Sequence, residues 1–204
     1  MIWVFLLLEY GVKMQKQSIQ RKIIETKGSY YINIPKQVAT NLQLKKGEQV
    51  AIYPNSNGFL VGLLTVYSIG YEKRTIEELL SILKQHKITQ VIDVRERAFS
   101  RVPAYRKAKL EKALQDSGIF YYNLNQLGAP SSLRKALNKG INYNEFFHKY
   151  KEHLTLHYQE YELLKKVIST APTVLLCYER DPEFCHRSVI TSELKRDGYH
   201  IVHL

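Results

Sequence analysis

From residue 65 onward one pattern constrains the chain most. Short apolar runs recur between longer segments of helical periodicity. Thr65–Ile69 reads as a strand ending at Gly70, Gln90–Val94 and Thr173–Cys177 are almost continuously apolar, and Ile119–Tyr122 and Tyr199–His203 complete the series. Between them, Thr75 caps a helix and Glu78 closes a capping box. Ile76, Leu79, Leu80 and Leu83 share its apolar face. A second helix spans Lys107–Asp116 and stops at Gly118, and one long amphipathic helix is expected from about Asn144 to Ile168. Phe147, Tyr150, Leu154, Tyr161, Leu164 and Ile168 form its stripe. Cys185–Arg196 reads as the last helix, with Lys195 and Arg196 in its final turn and Gly198 as its stop. Strands apolar along their whole length, each followed by a helix, are buried on both faces. The expected class is α/β, a mostly parallel sheet with helices on both sides.

The first third reads differently. Ile19–Thr26 and Tyr30–Ile34 are strand-like, with a turn at Gly28. Pro35 starts a short helix through Leu42, Lys45-Lys46-Gly47 turns the chain into Gln49–Tyr53, and Asn55-Ser56-Asn57-Gly58 is a hairpin turn leading to Phe59–Leu64. A segment this small buries little apolar surface, so a second copy is expected to complete its core. The boundaries are therefore a tail over 1–17, a β-rich dimerisation module over 18–64, and an α/β domain over 66–204. Ile2–Leu8 is too short to span a bilayer and lacks the basic leader of a secretory signal. Met14 is an alternative start, which would make 1–13 an extension. With only Cys177 and Cys185, no disulfide framework is expected, and the chain reads as cytoplasmic.

Ligands of open parallel sheets lie beyond the carboxyl ends of the strands. The polar clusters fall there: Gly70-Tyr71-Glu72, Asp93-Val94-Arg95, Asn125-Gln126-Leu127-Gly128, and the run from Glu179 to Arg187. In the last, Cys185 is expected at a helix start, which favours a thiolate or a bound anion. Arg187 suits a carboxylate or phosphate, and Glu179 suits acid–base work. Glu179, Cys185, His186, Arg187, Asp93 and Arg95 are the candidate catalytic set, with Asp93 orienting Arg95. No residue is assigned to a metal: His153 and His157 are four apart, but no carboxylate pattern completes them. Walker and dinucleotide glycine patterns are absent, so nucleoside-triphosphate and dinucleotide binding have no support, and the sequence leaves the cofactor unknown.

The balance of 30 Lys+Arg against 19 Asp+Glu, a formal charge of +11, favours polyanions. Arg95, Arg97, Arg101, Arg106, Lys107 and Lys109, with Phe99 and Tyr105 interleaved, suit a nucleic-acid backbone and unstacked bases. DNA and a second copy of the chain are the expected partners, and no membrane is.

Three resemblances bear on these expectations. Ile32-Asn33-Ile34-Pro35-Lys36, then Leu42, Leu44, Lys45, Lys46, Gly47 and Val50, resemble the SpoVT/AbrB regulators and antitoxins. That resemblance implies an interleaved swapped-hairpin dimer over residues 18–64, with Arg21, Lys22, Lys27 and Lys36 on phosphate. Ser29 departs from the arginine that many of those regulators carry. Residues 66–204 resemble the domain of unknown function 488 family, through Ser68-Ile69-Gly70-Tyr71-Glu72, Asp93-Val94-Arg95, Leu127-Gly128 and Cys177-Tyr178-Glu179 leading to Cys185-His186-Arg187-Ser188. This implies a link to modified DNA bases. Ile92-Asp93-Val94-Arg95-Glu96 and Arg187-Ser188 are also similar to rhodanese-like sulfurtransferases. Nine residues separate Cys177 from Arg187, too many for a tight persulfide-cradling loop. Two functions stay open: an enzyme acting on DNA or modified bases, and a non-catalytic transcriptional regulator or antitoxin-like protein whose α/β domain senses a ligand.

Overall fold

A computed structural model describes residues 3–5, 23–27, 29–41, 44–47, 50–55 and 58–204. The chain divides into two compact units between Leu63 and Leu64.

In the first unit, β2 (Ile23–Thr26) and β3 (Ser29–Ile32) form an antiparallel ribbon, followed by the short α1 (Lys36–Asn41). β4 (Val50–Asn55) and β5 (Gly58–Leu63) pair antiparallel from Asn55↔Gly58 to Val50↔Leu63. The expected turn residues Gly28, Ser56 and Asn57 lie outside the described residues, as do Arg21 and Lys22. Lys27 takes a left-handed φ of 52° at the ribbon's turn. β1 (Trp3–Phe5) lies parallel to β5, so part of the segment read as a tail joins a sheet. An apolar run beside an open strand edge has unpaired backbone groups to satisfy, which sequence inspection assigned to no partner.

The second unit is a five-stranded sheet ordered β10–β6–β9–β7–β8, parallel throughout. Its strands are β6 (Thr65–Gly70), β7 (Gln90–Asp93), β8 (Phe120–Asn123), β9 (Thr173–Cys177) and β10 (His200–His203). α2 (Ile76–Gln85) and α3 (Lys107–Asp116) cover one face. Leu79, Leu83, Leu110 and Leu114 pack there with Ile69, Val91, Val174 and Leu176. The other face carries α4 (Ser131–Asn138), α5 (Tyr143–Leu156), α6 (Tyr158–Ile168) and α7 (Arg187–Arg196). Their core joins Leu133, Tyr150, Leu164 and Ile190 to Val66, Ile92, Val94 and Leu175. The capping box at Thr75 forms as expected: Glu78 N–H donates to the Thr75 hydroxyl, and Thr75 N–H donates to the Glu78 carboxylate.

Three expectations need correction. The long helix is two, α5 and α6, broken at His157, where φ is −106° and ψ is 35°. The His157 ring nitrogen Nδ1 lies 2.9 Å from the His153 carbonyl oxygen, a local bond that competes with continuing the helix. On the stripe, Phe146 takes the buried place and Phe147 only borders the core. The last helix begins at Arg187, because Pro182–Phe184 forms a 3₁₀ turn and Cys185 is extended.

α4 was not foreseen. Its first residue follows Pro130, which has no capping side chain. Glu96, from the loop after β7, supplies the cap instead: its carboxylate accepts from Ser131 N–H at 3.1 Å and from the Ser131 hydroxyl, and pairs with Arg134 at 2.6 Å. Burial works to raise the Glu96 carboxyl, but the Ser131 hydroxyl and amide and the Arg134 charge outweigh it and hold it below the ordinary range. A carboxylate whose folded-state proton affinity is depressed adds stability above its unfolded value, and loses it as pH falls through the folded one. Glu96→Gln should therefore cost about 1 kcal/mol near neutrality. Urea unfolding at falling pH should show the gap to the parent closing below the ordinary value of 4.5. A pH-independent gap would mean that the carboxylate charge contributes nothing.

Candidate functional site

β9 is the central strand, flanked by β6 and β7, and its five residues are all buried. Side chains alternate along it, so Leu176 faces α2 and α3 while Cys177 faces α5 and α7. Beyond Cys177 the chain crosses above β6. A Cβ on Gly70 would lie 1.8 Å from the Glu179 carbonyl oxygen, so only glycine lets the two backbones approach this closely. The amides of Tyr71 and Glu72 donate to the carbonyls of Cys177 and Tyr178, continuing the ladder past the sheet edge.

This path brings Cys177, Glu179, Cys185 and His186 together. One ligand atom from each lies within 4.8 Å of all the others. The Cys177 thiol donates to Glu179 Oε2 at 3.2 Å. His186 Nδ1 is 3.9 Å from both sulfurs, and its Nε2 is 2.9 Å from the Val94 carbonyl oxygen. Cys177, Cys185 and His186 are buried, Glu179 is half-buried, and both cysteines are free. Burial pushes the Cys177 thiol well up, helped by Cys185 and Glu179. Burial also raises the Glu179 carboxyl, with the Cys185 charge adding to it. Cys185 goes the other way: burial opposes ionisation, but the hydrogen bond from Cys177 and the charges of His186 and Arg187 hold it well below the usual thiol range. Burial alone would lower His186, yet the Cys185 thiolate lifts it. The four groups thus share protons as a unit, and the same atoms form a set of soft and borderline metal donors.

Arg187 lies beside them, almost wholly buried. One amino group donates to the Glu179 carbonyl at 2.7 Å, while Nε and Nη1 have no hydrogen-bond partner among the described residues. Sequence reasoning had Arg187 fork onto an anion. Here it ties down the Glu179 backbone and keeps two buried donors unspent.

Asp93 and Arg95 belong to a different constellation. The carboxylate of Asp93 accepts from Arg95 N–H at 3.0 Å, from Nε at 2.8 Å and from Nη2 at 2.6 Å, and from the Tyr121 hydroxyl at 2.7 Å. Arg95 Nη1 donates to the Tyr71 hydroxyl and the Tyr105 carbonyl. These partners line the α2–α3 face, opposite the cysteines. Val94, which lies between Asp93 and Arg95 in the chain, links the two constellations through its carbonyl, which holds His186. Cys177 stands outside the catalytic set expected from the sequence, yet the fold makes it part of the cluster. Its signal was the two-residue step from Cys177 to Glu179, combined with a loop long enough to return Cys185 beneath it.

The basic run is likewise divided. Arg95 and Tyr105 are consumed in the interior, whereas Arg97, Arg101, Arg106, Lys107 and Lys109 are exposed. Arg106 lies over Phe99, 5.5 Å from the ring centre, and Phe99 is 66% exposed. A cleft of about 340 Å³ is lined by Tyr71, Glu72, Arg74, Val102 and Tyr178. A second, of about 510 Å³, is bordered by Lys73, Arg74, His86 and Arg180. Neither cleft is lined by a member of the cluster; Tyr71, on the α2–α3 face, borders the smaller one, and Arg74 borders both. The rings of His153 and His157 lie with centres 4.1 Å apart, tilted by 40°, and His153 is bonded to the Gln126 carbonyl.

Residues 75–194 match the family model described as a domain of unknown function, DUF488. No curated protein and no solved structure matches the chain.

Removing the charge of Asp93 leaves Arg95 buried without its partner, so Asp93→Asn should cost about 3–5 kcal/mol in urea unfolding. A loss under about 1 kcal/mol would refute a structural role for the pair.

Proposed function

The chain belongs to the DUF488 family, and from that premise we propose a DNA-docking dimer whose α/β unit carries a reaction centre for a phosphate- or base-bearing substrate. The observation that carries this reading is the convergence of Cys177, Glu179, Cys185 and His186 at the carboxyl end of the central strand. Clusters of nucleophilic and titratable groups that perturb one another concentrate where chemistry is done. Glu179 is the member with an outward path, so it is the acid or base that meets substrate. Arg187 holds the loop that presents it, and its unspent donors suit a bound anion. Asp93 and Arg95 act at a distance, by fixing the Val94 carbonyl that orients His186.

Nucleic acid is the substrate class favoured by the surface. Arg106 lies over exposed Phe99, exposed Arg97 and Arg101 stand two positions to either side of it in the chain, and Tyr178, the residue before Glu179, is 47% exposed. Cations for phosphates and aromatic faces for an unstacked base fit a nucleotide taken out of its stack. In the first unit, Lys27 and Lys36 are exposed and available to phosphate. Ile24 and Tyr31 face each other across the ribbon, 51% and 54% exposed, with Ile34 beyond them at 39%. A two-stranded ribbon with so much bare apolar surface is what a second copy would cover.

Titrating the protein onto duplex DNA at rising ionic strength should weaken binding steeply, by about 10³-fold or more between 50 and 200 mM salt if several phosphates are contacted. Indifference to salt removes DNA from the reading. Incubation with plain and base-modified duplexes should give product with the parent and at least ~10²-fold less with Glu179→Gln, the range of a lost acid–base group. Binding without product across all substrates points to the regulator instead.

A further inference from the structure

The cluster bears on a second question, the identity of the species that occupies its centre. We propose that Cys177, Cys185, His186 and Glu179 bind one zinc-class divalent cation, the two sulfurs and the imidazole as fixed ligands and the carboxylate as the exchangeable fourth. The inference deepens the reaction-centre reading and rests on it only for what the ion would act upon.

Four features of the geometry support it. Zinc holds sulfur at about 2.3 Å and imidazole nitrogen at about 2.0–2.1 Å in a tetrahedron, so neighbouring sulfur and nitrogen ligands sit about 3.6 Å apart. His186 Nδ1 lies 3.9 Å from each of Cys177 Sγ and Cys185 Sγ, within a few tenths of an ångström of that spacing. All four donor atoms fall within 4.8 Å of one another, so one ion reaches all of them.

The second feature is the tautomer. His186 Nε2 lies 2.9 Å from the Val94 carbonyl, which can only accept, so a ring proton sits on Nε2. Nδ1, which faces both sulfurs, is then the nitrogen that gives up its proton when a metal binds. A ligating histidine tied through its other nitrogen to a backbone carbonyl is the usual support of a metal-bound imidazole.

The third feature is cost. Two thiols and an imidazole, 4%, 1% and 6% exposed, are gathered with a carboxylate where water is excluded. A divalent cation binds the deprotonated thiols and neutralises the group. Sulfur ligands exclude calcium and magnesium, which take oxygen, and two cysteines with a single histidine match neither the four-cysteine nor the two-cysteine, two-histidine set of iron–sulfur clusters.

The fourth is the placement of Glu179. Cys177 ends β9, Cys185 and His186 lead into α7, and Gly70 pins the intervening backbone, so three donors are fixed by the fold. Glu179 alone is half-exposed and borders the Tyr178 surface. A carboxylate that swings off the ion opens a position for water or substrate, as three-ligand catalytic zinc sites require.

The full chain, purified without chelator from zinc-supplemented cells, should carry one zinc per chain by elemental mass spectrometry. Cobalt(II) added to chelator-treated protein should develop thiolate charge-transfer absorption and the intense visible bands of a tetrahedral site. Cys185→Ser should weaken cobalt affinity on the order of 100-fold or more. Glu179→Gln should keep the ion and shift the visible bands. Since Cys185→Ser could unfold, the cobalt spectrum of the unmutated chain decides. A folded chain that holds no zinc and takes up cobalt without charge-transfer absorption overturns the site. Bound zinc with no turnover on any duplex overturns the enzymatic reading and leaves the site standing, whereas turnover by a chain that takes up neither zinc nor cobalt overturns the site and leaves the enzymatic reading standing.

Discussion

The buried ion pair of Asp93 and Arg95 is the interaction on which the rest of the α/β unit depends. Placing two charges in a sheet interior costs several kcal/mol each, and the cost is offset only when every donor and acceptor is matched. Asp93 meets that condition with two oxygens and four donors, one of them the Arg95 amide itself. Because backbone and side chain of Arg95 are both bound, the chain leaving β7 has one path. The carbonyl of Val94 is thereby aimed at His186, and Glu96 arrives where α4 begins. Gly128 completes this clamp. A Cβ there would meet the Glu96 amide nitrogen at 1.9 Å, so the loop after β8 can close over the loop after β7 only with glycine.

The sheet separates two kinds of polar interior. On the α2–α3 face the charges are fully spent on one another, and Tyr71 and Tyr105 stack over the arginine side with ring centres 4.1 Å apart. On the α5–α7 face the groups are under-matched: sulfurs at 3.9 Å from an imidazole nitrogen, and an arginine with two idle donors. A matched network is what a folded chain needs for stability. In an under-matched one a ligand can supply the missing partner, which is why the proposed reaction centre is sought on the second face.

Much of the architecture was legible because it is written in local patterns. The capping box at Thr75, the apolar faces of α2 and α3, and the fully buried β7 and β9 follow from period and capping alone. The features that escaped all depend on distant residues. α4 is capped by a glutamate thirty-five positions away, so no window of sequence around Pro130 contains its signal. The break at His157 comes from a ring bonding a carbonyl one turn back, a choice open to any helical histidine. Cys185 falls just short of α7 because Pro182–Phe184 spends that stretch on a 3₁₀ turn.

For the site, the sequence determined the residue types and their position at strand ends, since a parallel sheet sends every strand's carboxyl end to one edge. It could not determine which face each side chain would take. Asp93 and Glu179 both follow apolar strands, and both were assigned to one crevice. A register difference of a single residue sends side chains to opposite faces of a sheet. Only the packing of β9 between β6 and β7 decided that Cys177, Glu179, Cys185 and His186 would meet, while Asp93 and Arg95 turned away.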